Sequence, residues 1–125
     1  MFLVRTYLAP SRIHGIGVFA GEDIAAGQEI WRFTPPVDQV LSFAFVAALP
    51  PAQREYLETY TYESSYFGPG LVLNGDHARF LNHAGDPNTD NSREITLASR
   101  AIASGEEITC DYGICCEGFD PSVYG

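Results

Sequence analysis

Three short segments constrain the fold of this chain more than its composition does. They are residues 11–20 (SRIHGIGVFA), residues 79–88 (RFLNHAGDPN) and residues 105–113 (GEEITCDYG). Singly, a glycine pair or an Asp-Pro-Asn loop is typical of ordinary turns, because glycine accepts positive φ and proline presets φ. All three segments in this order within 125 residues are far more specific, and they indicate one known fold rather than three unrelated turns.

The three segments resemble the opening glycine motif and the two signature stretches of the SET-domain family. Most members of that family transfer a methyl group from S-adenosylmethionine to a lysine side chain of a protein. The resemblance covers nearly the whole chain and is weakest between residues 35 and 70. It implies a mainly β fold of several small curved sheets, with a short helical insert and a C-terminal pseudoknot, in which the last segment threads under a preceding loop.

The length predicts one domain, since 125 residues can bury one modest core but not two. We therefore predict a single SET domain over residues 1–125, with the helical insert at about 37–68. Within the insert, Ser42 predicts a helix cap before residues 43–49, and Pro51 predicts the start of a second helix through Thr59. Apolar runs between turn residues predict short strands at 2–8, 17–20, 71–73, 95–98 and 107–110, and residues 27–33 predict a turn followed by an alternating strand.

The resemblance implies that Tyr112 is the catalytic residue. Methyl transfer is an in-line displacement in which a neutral amine attacks a methyl group held on a sulfonium. Free lysine has a pKa near ~10.4, so a narrow aromatic channel that lowers this pKa by desolvation would assist the reaction. The Tyr112 hydroxyl would lie beside the methyl group, orient the amine and stabilise charge. From the residues alone, a core tyrosine that closes a strand is the alternative.

The resemblance also assigns residues to the cofactor, S-adenosylmethionine, and to its product, S-adenosylhomocysteine. These residues are Gly15, Ile16, Gly17, Arg79, Asn82 and His83. The glycine segment would bring its backbone close to the methionine end, and Asn82 can offer a donor and an acceptor to the ammonium and carboxylate. His83 would contribute mostly its backbone to the adenine edge. Arg79 could instead brace the fold through a carboxylate.

A substrate channel is predicted from Tyr62, Tyr66, Cys110, Phe119 and Tyr124. Relatives place a second tyrosine where Tyr62 and Tyr66 stand, and the spacing does not choose between them. Many relatives carry Phe or Tyr at the position of Cys110, so the number of methyl groups added is left open. Phe119 and Tyr124 could close the channel, and so could a partner chain in a homodimer. Trp31 would pack over the cofactor or fill the core.

No metal site is predicted. Relatives build a zinc cluster from a cysteine just after the Asn-His pair and a C-x-C run, whereas this chain has Ala84 and the adjacent pair Cys115 and Cys116. A site in which His77 or His83 joins these thiolates is the alternative, since tetrahedral zinc needs four ligands. Clustered cysteines that cannot close a long disulfide loop favour a reducing compartment.

The N-terminus lacks a signal-peptide layout, and no apolar run reaches the ~20 residues of a membrane span. We therefore expect a protein that is neither secreted nor membrane-bound, located in the cytoplasm, or in the nucleus if the source is eukaryotic or viral. The net charge is −9, which disfavours direct nucleic-acid binding and favours a lysine-bearing, basic, histone-like protein substrate.

Other functions remain open from the sequence. The main alternative is a non-catalytic SET-like module that binds a lysine-containing peptide or only the cofactor. An acidic β-rich adaptor and a redox or metal role for the cysteines Cys110, Cys115 and Cys116 are the others. Absence of any affinity for the cofactor would indicate the adaptor, and bound metal found by elemental analysis would indicate the role for the cysteines.

Overall fold

Ten short strands and three helices follow one another in the computed structural model, which describes residues 1–115. The strands are β1 (Thr6–Pro10), β2 (Ile16–Ala20), β3 (Glu29–Arg32), β4 (Gln39–Leu41), β5 (Thr61–Tyr62), β6 (Leu71–Leu73), β7 (Asn82–His83), β8 (Thr89–Asp90), β9 (Ile95–Ala98) and β10 (Glu107–Cys110). The helices are α1 (Phe43–Ala47), α2 (Pro51–Tyr60) and α3 (Tyr112–Cys115), and a 3-10 turn spans His77–Phe80.

The strands pair into three small sheets, in the orders β1-β2-β10-β7, β3-β9-β8 and β4-β6-β5. The prediction of a mainly β fold of several small sheets is therefore confirmed. Strand β10 is the last strand of the described residues but lies between two earlier strands, antiparallel to β2 and parallel to β7. An insertion of the C-terminal strand between earlier strands is what the predicted pseudoknot requires.

Three of the predicted strands, β6, β9 and β10, have the predicted bounds. The predicted strand at 2–8 is wrong in its bounds, because that segment divides between two sheets. Phe2 bridges to Trp31 and the Leu3 N–H donates to the Ile30 carbonyl at 2.8 Å. Regular pairing with β2 begins only at Thr6.

The insert holds the two predicted helices. Ser42 caps α1, and its hydroxyl accepts the Phe45 N–H at 3.1 Å. α2 begins at Pro51, where the missing N–H costs nothing. Describing the insert only as helical is incomplete, because β4 and β5 also lie in it and pair with β6. Among residues 1–115, no helix has both the length and the apolar character to cross a bilayer.

The main hydrophobic core lies beneath β2 and β10. Its buried members are Val18, Ala20, Ile24, Ile30, Ala98, Ile102 and Ile108. Val18 and Ala20 alternate along β2, as expected for a strand with one face in the core. Ile108 points into the same core from β10, so the core fixes the backbone that carries Glu107 on one side and Cys110 on the other.

Replacing Ile108 by alanine is expected to lower the free energy of unfolding by about 2–5 kcal/mol, because the side chain is fully buried. Urea unfolding followed by circular dichroism measures this loss. The matched control is Ile13→Ala, since Ile13 is 50% exposed, and it should change stability by less than about 0.5 kcal/mol. Equal losses in the two variants would contradict the assigned core.

Candidate functional site

Strand β10 is held in place by the segment that follows β7. The Thr109 N–H donates to Asn88 Oδ1 at 3.0 Å, and Asn88 Nδ2 donates to the Glu107 carbonyl at 2.8 Å. The Thr89 hydroxyl donates to the Thr109 carbonyl at 2.6 Å. Asn88 and Thr89 are buried, so these bonds fix the register of β10. Sequence reasoning assigned neither residue a role, although both lie in or beside a signature stretch.

Tyr112 is attached to β7 and its flanking residue at two points. Its hydroxyl donates to the Leu81 carbonyl, and its backbone N–H donates to His83 Nδ1 at 3.1 Å. An Nδ1 atom that accepts this bond carries no proton, so the imidazole proton of the neutral ring is on Nε2. The two rings lie 5.5 Å apart. The tyrosine is therefore held at its backbone by β7 and at its hydroxyl by Leu81, the residue just before that strand.

A cavity of about 310 Å³ opens beside Tyr112. Its lining includes Tyr62, Tyr66, Cys110 and Tyr112, together with Trp31, Phe67 and Leu81. The cavity thus brings together every predicted channel residue that the structure describes. The other two, Phe119 and Tyr124, lie outside the described residues, so their predicted role stays a prediction.

Tyr66 links the insert to the loop after β8. Its hydroxyl donates to the Ser92 carbonyl at 2.7 Å. Asp90 orders that loop, since its carboxylate accepts the Ser92 hydroxyl and the Ser92 N–H. These bonds lower the pKa of Asp90, the hydroxyl contributing most. The ionised carboxylate is therefore the form that accepts these bonds best, and the bonds weaken as the pH falls through the lowered pKa.

The cavity carries charges of both signs. Glu58, Glu94, Arg79 and Arg93 all contribute to its lining. Arg79 Nε donates to the Asn74 carbonyl at 3.0 Å, and its Nη1 donates to the Tyr56 hydroxyl at 2.7 Å. These bonds brace the cavity wall through a carbonyl and a hydroxyl rather than the predicted carboxylate. Arg79 therefore lies among the channel residues, and its assignment to the cofactor stays a prediction.

Asn82 belongs to a different part of the site, although it follows Leu81 directly. Its Nδ2 lies 3.1 Å from the His14 carbonyl, 3.3 Å from the Ile16 carbonyl and 3.0 Å from Glu107 Oε2. Successive residues of an extended segment face opposite sides. Leu81 lines the cavity, whereas the Asn82 side chain contacts the glycine segment. The backbone beside Tyr112 thus separates a channel-like cavity from the glycine segment.

The structure explains the two glycines of that segment separately. Gly15 adopts φ +46°, a left-handed conformation that favours glycine. At Gly17 an added Cβ would lie 2.5 Å from Glu107 Oε2 and 3.1 Å from the Ser11 Cβ. A side chain at position 17 would therefore force the Glu107 carboxylate to move from its place beside Ser11 and Asn82. Sequence reasoning missed Glu107, because a contact between residues this far apart leaves no local pattern.

Replacing Gly17 by alanine is expected to cost about 1–3 kcal/mol of folding stability, since the new Cβ and the Glu107 carboxylate cannot share the same space. The control is Gly85→Ala, where an added Cβ meets nothing within 4 Å. Thermal unfolding of the two variants measures the difference. If Gly17→Ala proved as stable as Gly85→Ala, the close approach of Glu107 would be disproved.

No group of three or more His, Cys, Asp or Glu side chains within the described residues is arranged to hold a metal ion. His77, named above as an alternative ligand, has its Nδ1 2.9 Å from the Thr6 hydroxyl. Cys116 lies outside the described residues, and the alternative that depends on it stays a prediction.

Comparison with known sequences gives two matches. The family model of the SET domain matches residues 15–113. The chain is also 30% identical over 110 residues to the histone-lysine N-methyltransferase, H3 lysine-36 specific, of Saccharomyces cerevisiae. That alignment covers 80% of this chain but only 15% of the yeast protein, so most of the relative has no counterpart here.

Comparison with solved structures identifies the same fold. A humanized mutant of the Chaetomium thermophilum Polycomb Repressive Complex 2, bound to the inhibitor GSK126, gives a TM-score of 0.65 at 23% identity. A ctPRC2 structure in an autoinhibited conformation, bound to S-adenosylmethionine, gives 0.66 at 22% identity. Each alignment covers 92% of this chain and 16% of the matched chain. At these identities the likeness concerns the fold.

Proposed function

This chain belongs to the SET-domain family, and on that premise we propose that it is an S-adenosylmethionine-dependent methyltransferase acting on a lysine side chain of a protein. The observation that carries the proposal is the position of Tyr112. Its hydroxyl donates a hydrogen bond to the Leu81 carbonyl. At Leu81 the backbone separates the cavity from Asn82 and the glycine segment. A substrate amine in the cavity and a methyl donor beside Asn82 would then meet at this hydroxyl.

The groups beside Asn82 suit the methionine end of the cofactor. When bound, S-adenosylmethionine supplies an electrophilic methyl group on a positively charged sulfur. The carbonyls of His14 and Ile16 and the Glu107 carboxylate surround the Asn82 amide, and all are hydrogen-bond acceptors. An acceptor-rich, negatively charged surface favours a ligand that carries an ammonium group. Gly15, Ile16 and Gly17 belong to this proposed site, together with His83.

The cavity suits a lysine side chain. Its tyrosine and phenylalanine rings give it a partly apolar wall, which would lower the pKa of a lysine amine by desolvation and favour the neutral, nucleophilic form. The Tyr112 hydroxyl donates a hydrogen bond to the Leu81 carbonyl, so its oxygen is left as an acceptor that can orient the amine N–H. Tyr62, Tyr66 and Cys110 would line the path, and Cys110, which is 5% exposed, would set its width near the amine.

The substrate that we propose is a lysine-bearing, basic protein of histone type. The net charge of −9 would attract such a protein and accelerate its encounter with the site. The yeast relative carries a histone lysine in its name, which supports the same substrate class. A location in the cytoplasm or nucleus is part of this proposal, because such a substrate would be found there.

The test is transfer of a labelled methyl group from S-adenosylmethionine to purified histone proteins, with lysine residues analysed by mass spectrometry. We expect label on a lysine of the added protein. The chain itself contains no lysine, so a labelled lysine cannot come from the enzyme. Cofactor binding without any transfer to lysine-rich proteins would refute the proposal and support a non-catalytic SET-like binding module.

A further inference from the structure

Glu107 lies at the centre of a hydrogen-bond network that joins β10 to the glycine segment. The Ser11 hydroxyl lies 2.7 Å from Glu107 Oε1 and 2.9 Å from Oε2. The same hydroxyl accepts the Ile13 N–H at 2.9 Å, so it fixes the turn before Gly15. The carboxylate also occupies the space that a side chain at Gly17 would need.

The network determines which end of the Asn82 amide is available to a ligand. Asn82 Nδ2 has two hydrogens and three acceptors within 3.3 Å, of which Glu107 Oε2 is the nearest at 3.0 Å. The donor end of the amide is therefore occupied by the protein. Among residues 1–115, no donor is hydrogen-bonded to Asn82 Oδ1, so the oxygen is the end that can accept a hydrogen bond from a ligand.

We propose that Glu107 is a positioning residue that makes this part of the site selective for the ammonium group of the cofactor. By binding Asn82 Nδ2, it holds the amide oxygen toward the ligand, and its own charge favours a cation nearby. This inference rests on the proposed function, since it concerns the same cofactor site. It also makes the role of Asn82 more specific: Asn82 binds the ammonium of the cofactor, and other groups bind the carboxylate of the cofactor.

A positioning role for Glu107 and a purely structural role have different effects on ligand binding. A brace would affect every ligand of the site equally, because loss of the brace disorders the whole glycine segment. A positioning residue selective for the ammonium affects only ligands that carry this group. The distinction can be measured with two ligands that differ in one group, namely S-adenosylhomocysteine and its deaminated analogue, in which hydrogen replaces the ammonium.

The experiment is calorimetric titration of the wild-type protein and of Glu107→Gln with both ligands. Glutamine keeps the shape of the side chain and an acceptor for Asn82, but it removes the charge. We expect Glu107→Gln to weaken the binding of S-adenosylhomocysteine about tenfold, because it removes a negative charge close to the ammonium, and to weaken the binding of the deaminated analogue less than about twofold. The control is Glu106→Gln, since Glu106 is exposed and adjacent, and it should leave both affinities unchanged.

Equal weakening of both ligands by Glu107→Gln, or no weakening of either, would overturn the inference but leave the proposed function intact. Failure of the wild-type protein to bind S-adenosylhomocysteine would refute the proposed function itself. If Glu107→Gln does not fold, Glu107→Asp tests the same point, because it keeps a carboxylate but withdraws it from Asn82 Nδ2. It should lower the affinity for S-adenosylhomocysteine about threefold without changing the affinity for the deaminated analogue. Equal losses of affinity for the two ligands would again overturn the inference.

Discussion

Replacing Tyr112 by phenylalanine is expected to lower kcat for methyl transfer by at least about a hundredfold, while the Kd for S-adenosylhomocysteine stays within about twofold of wild type. The substitution removes one oxygen, the atom that donates to the Leu81 carbonyl and would orient the substrate amine. Asn82 and the glycine segment are untouched, so cofactor binding should persist. Single-turnover transfer to a histone substrate measures the rate, and calorimetric titration measures the affinity.

The matched control for this variant is Tyr7→Phe. Tyr7 is 43% exposed and stacks on Phe19, in β1 and β2, so loss of its hydroxyl should leave kcat unchanged within about twofold. Full turnover in Tyr112→Phe would show that the hydroxyl does not take part in the transfer. The assignment of the catalytic residue would then be wrong, even if the cofactor still bound.

Replacing Asn82 by alanine is expected to lower the affinity for S-adenosylhomocysteine by more than about tenfold and to lower the free energy of unfolding by about 1–3 kcal/mol. The truncation removes the acceptor oxygen that faces the ligand. It also leaves the Glu107 carboxylate and the His14 and Ile16 carbonyls without the amide that they share. Calorimetric titration and thermal unfolding measure the two effects separately.

A companion variant, Asn82→Asp, keeps the shape of the side chain and replaces Nδ2 by an oxygen. Two carboxylates would then face each other across the 3.0 Å that now separates Asn82 Nδ2 from Glu107 Oε2, and like charges repel. We expect this variant to bind S-adenosylhomocysteine no better than Asn82→Ala does. Wild-type affinity in either variant would exclude Asn82 from the cofactor site.

The sequence predicted those features whose signals are local. Ser42 and Pro51 start helices through their own side chains. The apolar runs of β6, β9 and β10 are recognisable from the residue types of each strand alone. The sequence did not predict β4 and β5, because each of these short strands exists only through its pairing with β6.

The same limit applies to the candidate site. The motif residues Tyr112, Asn82 and Gly17 were identified by resemblance, and the structure brings them to one region. Glu107 was missed, although it stands within a signature stretch, because its partners Ser11 and Asn82 are distant in sequence. Arg79 was expected to contact the cofactor because it lies close to Asn82 in the chain. Its side chain lines the cavity, and its assignment to the cofactor stays a prediction.

The most direct test of this account is calorimetric titration of the folded wild-type protein with S-adenosylhomocysteine, with and without a lysine-rich histone. We predict one binding site per chain with micromolar affinity, corresponding to about −8 kcal/mol, and loss of this binding in Asn82→Ala. Absence of binding by folded protein under both conditions would contradict the proposed cofactor site and, with it, the methyltransferase function.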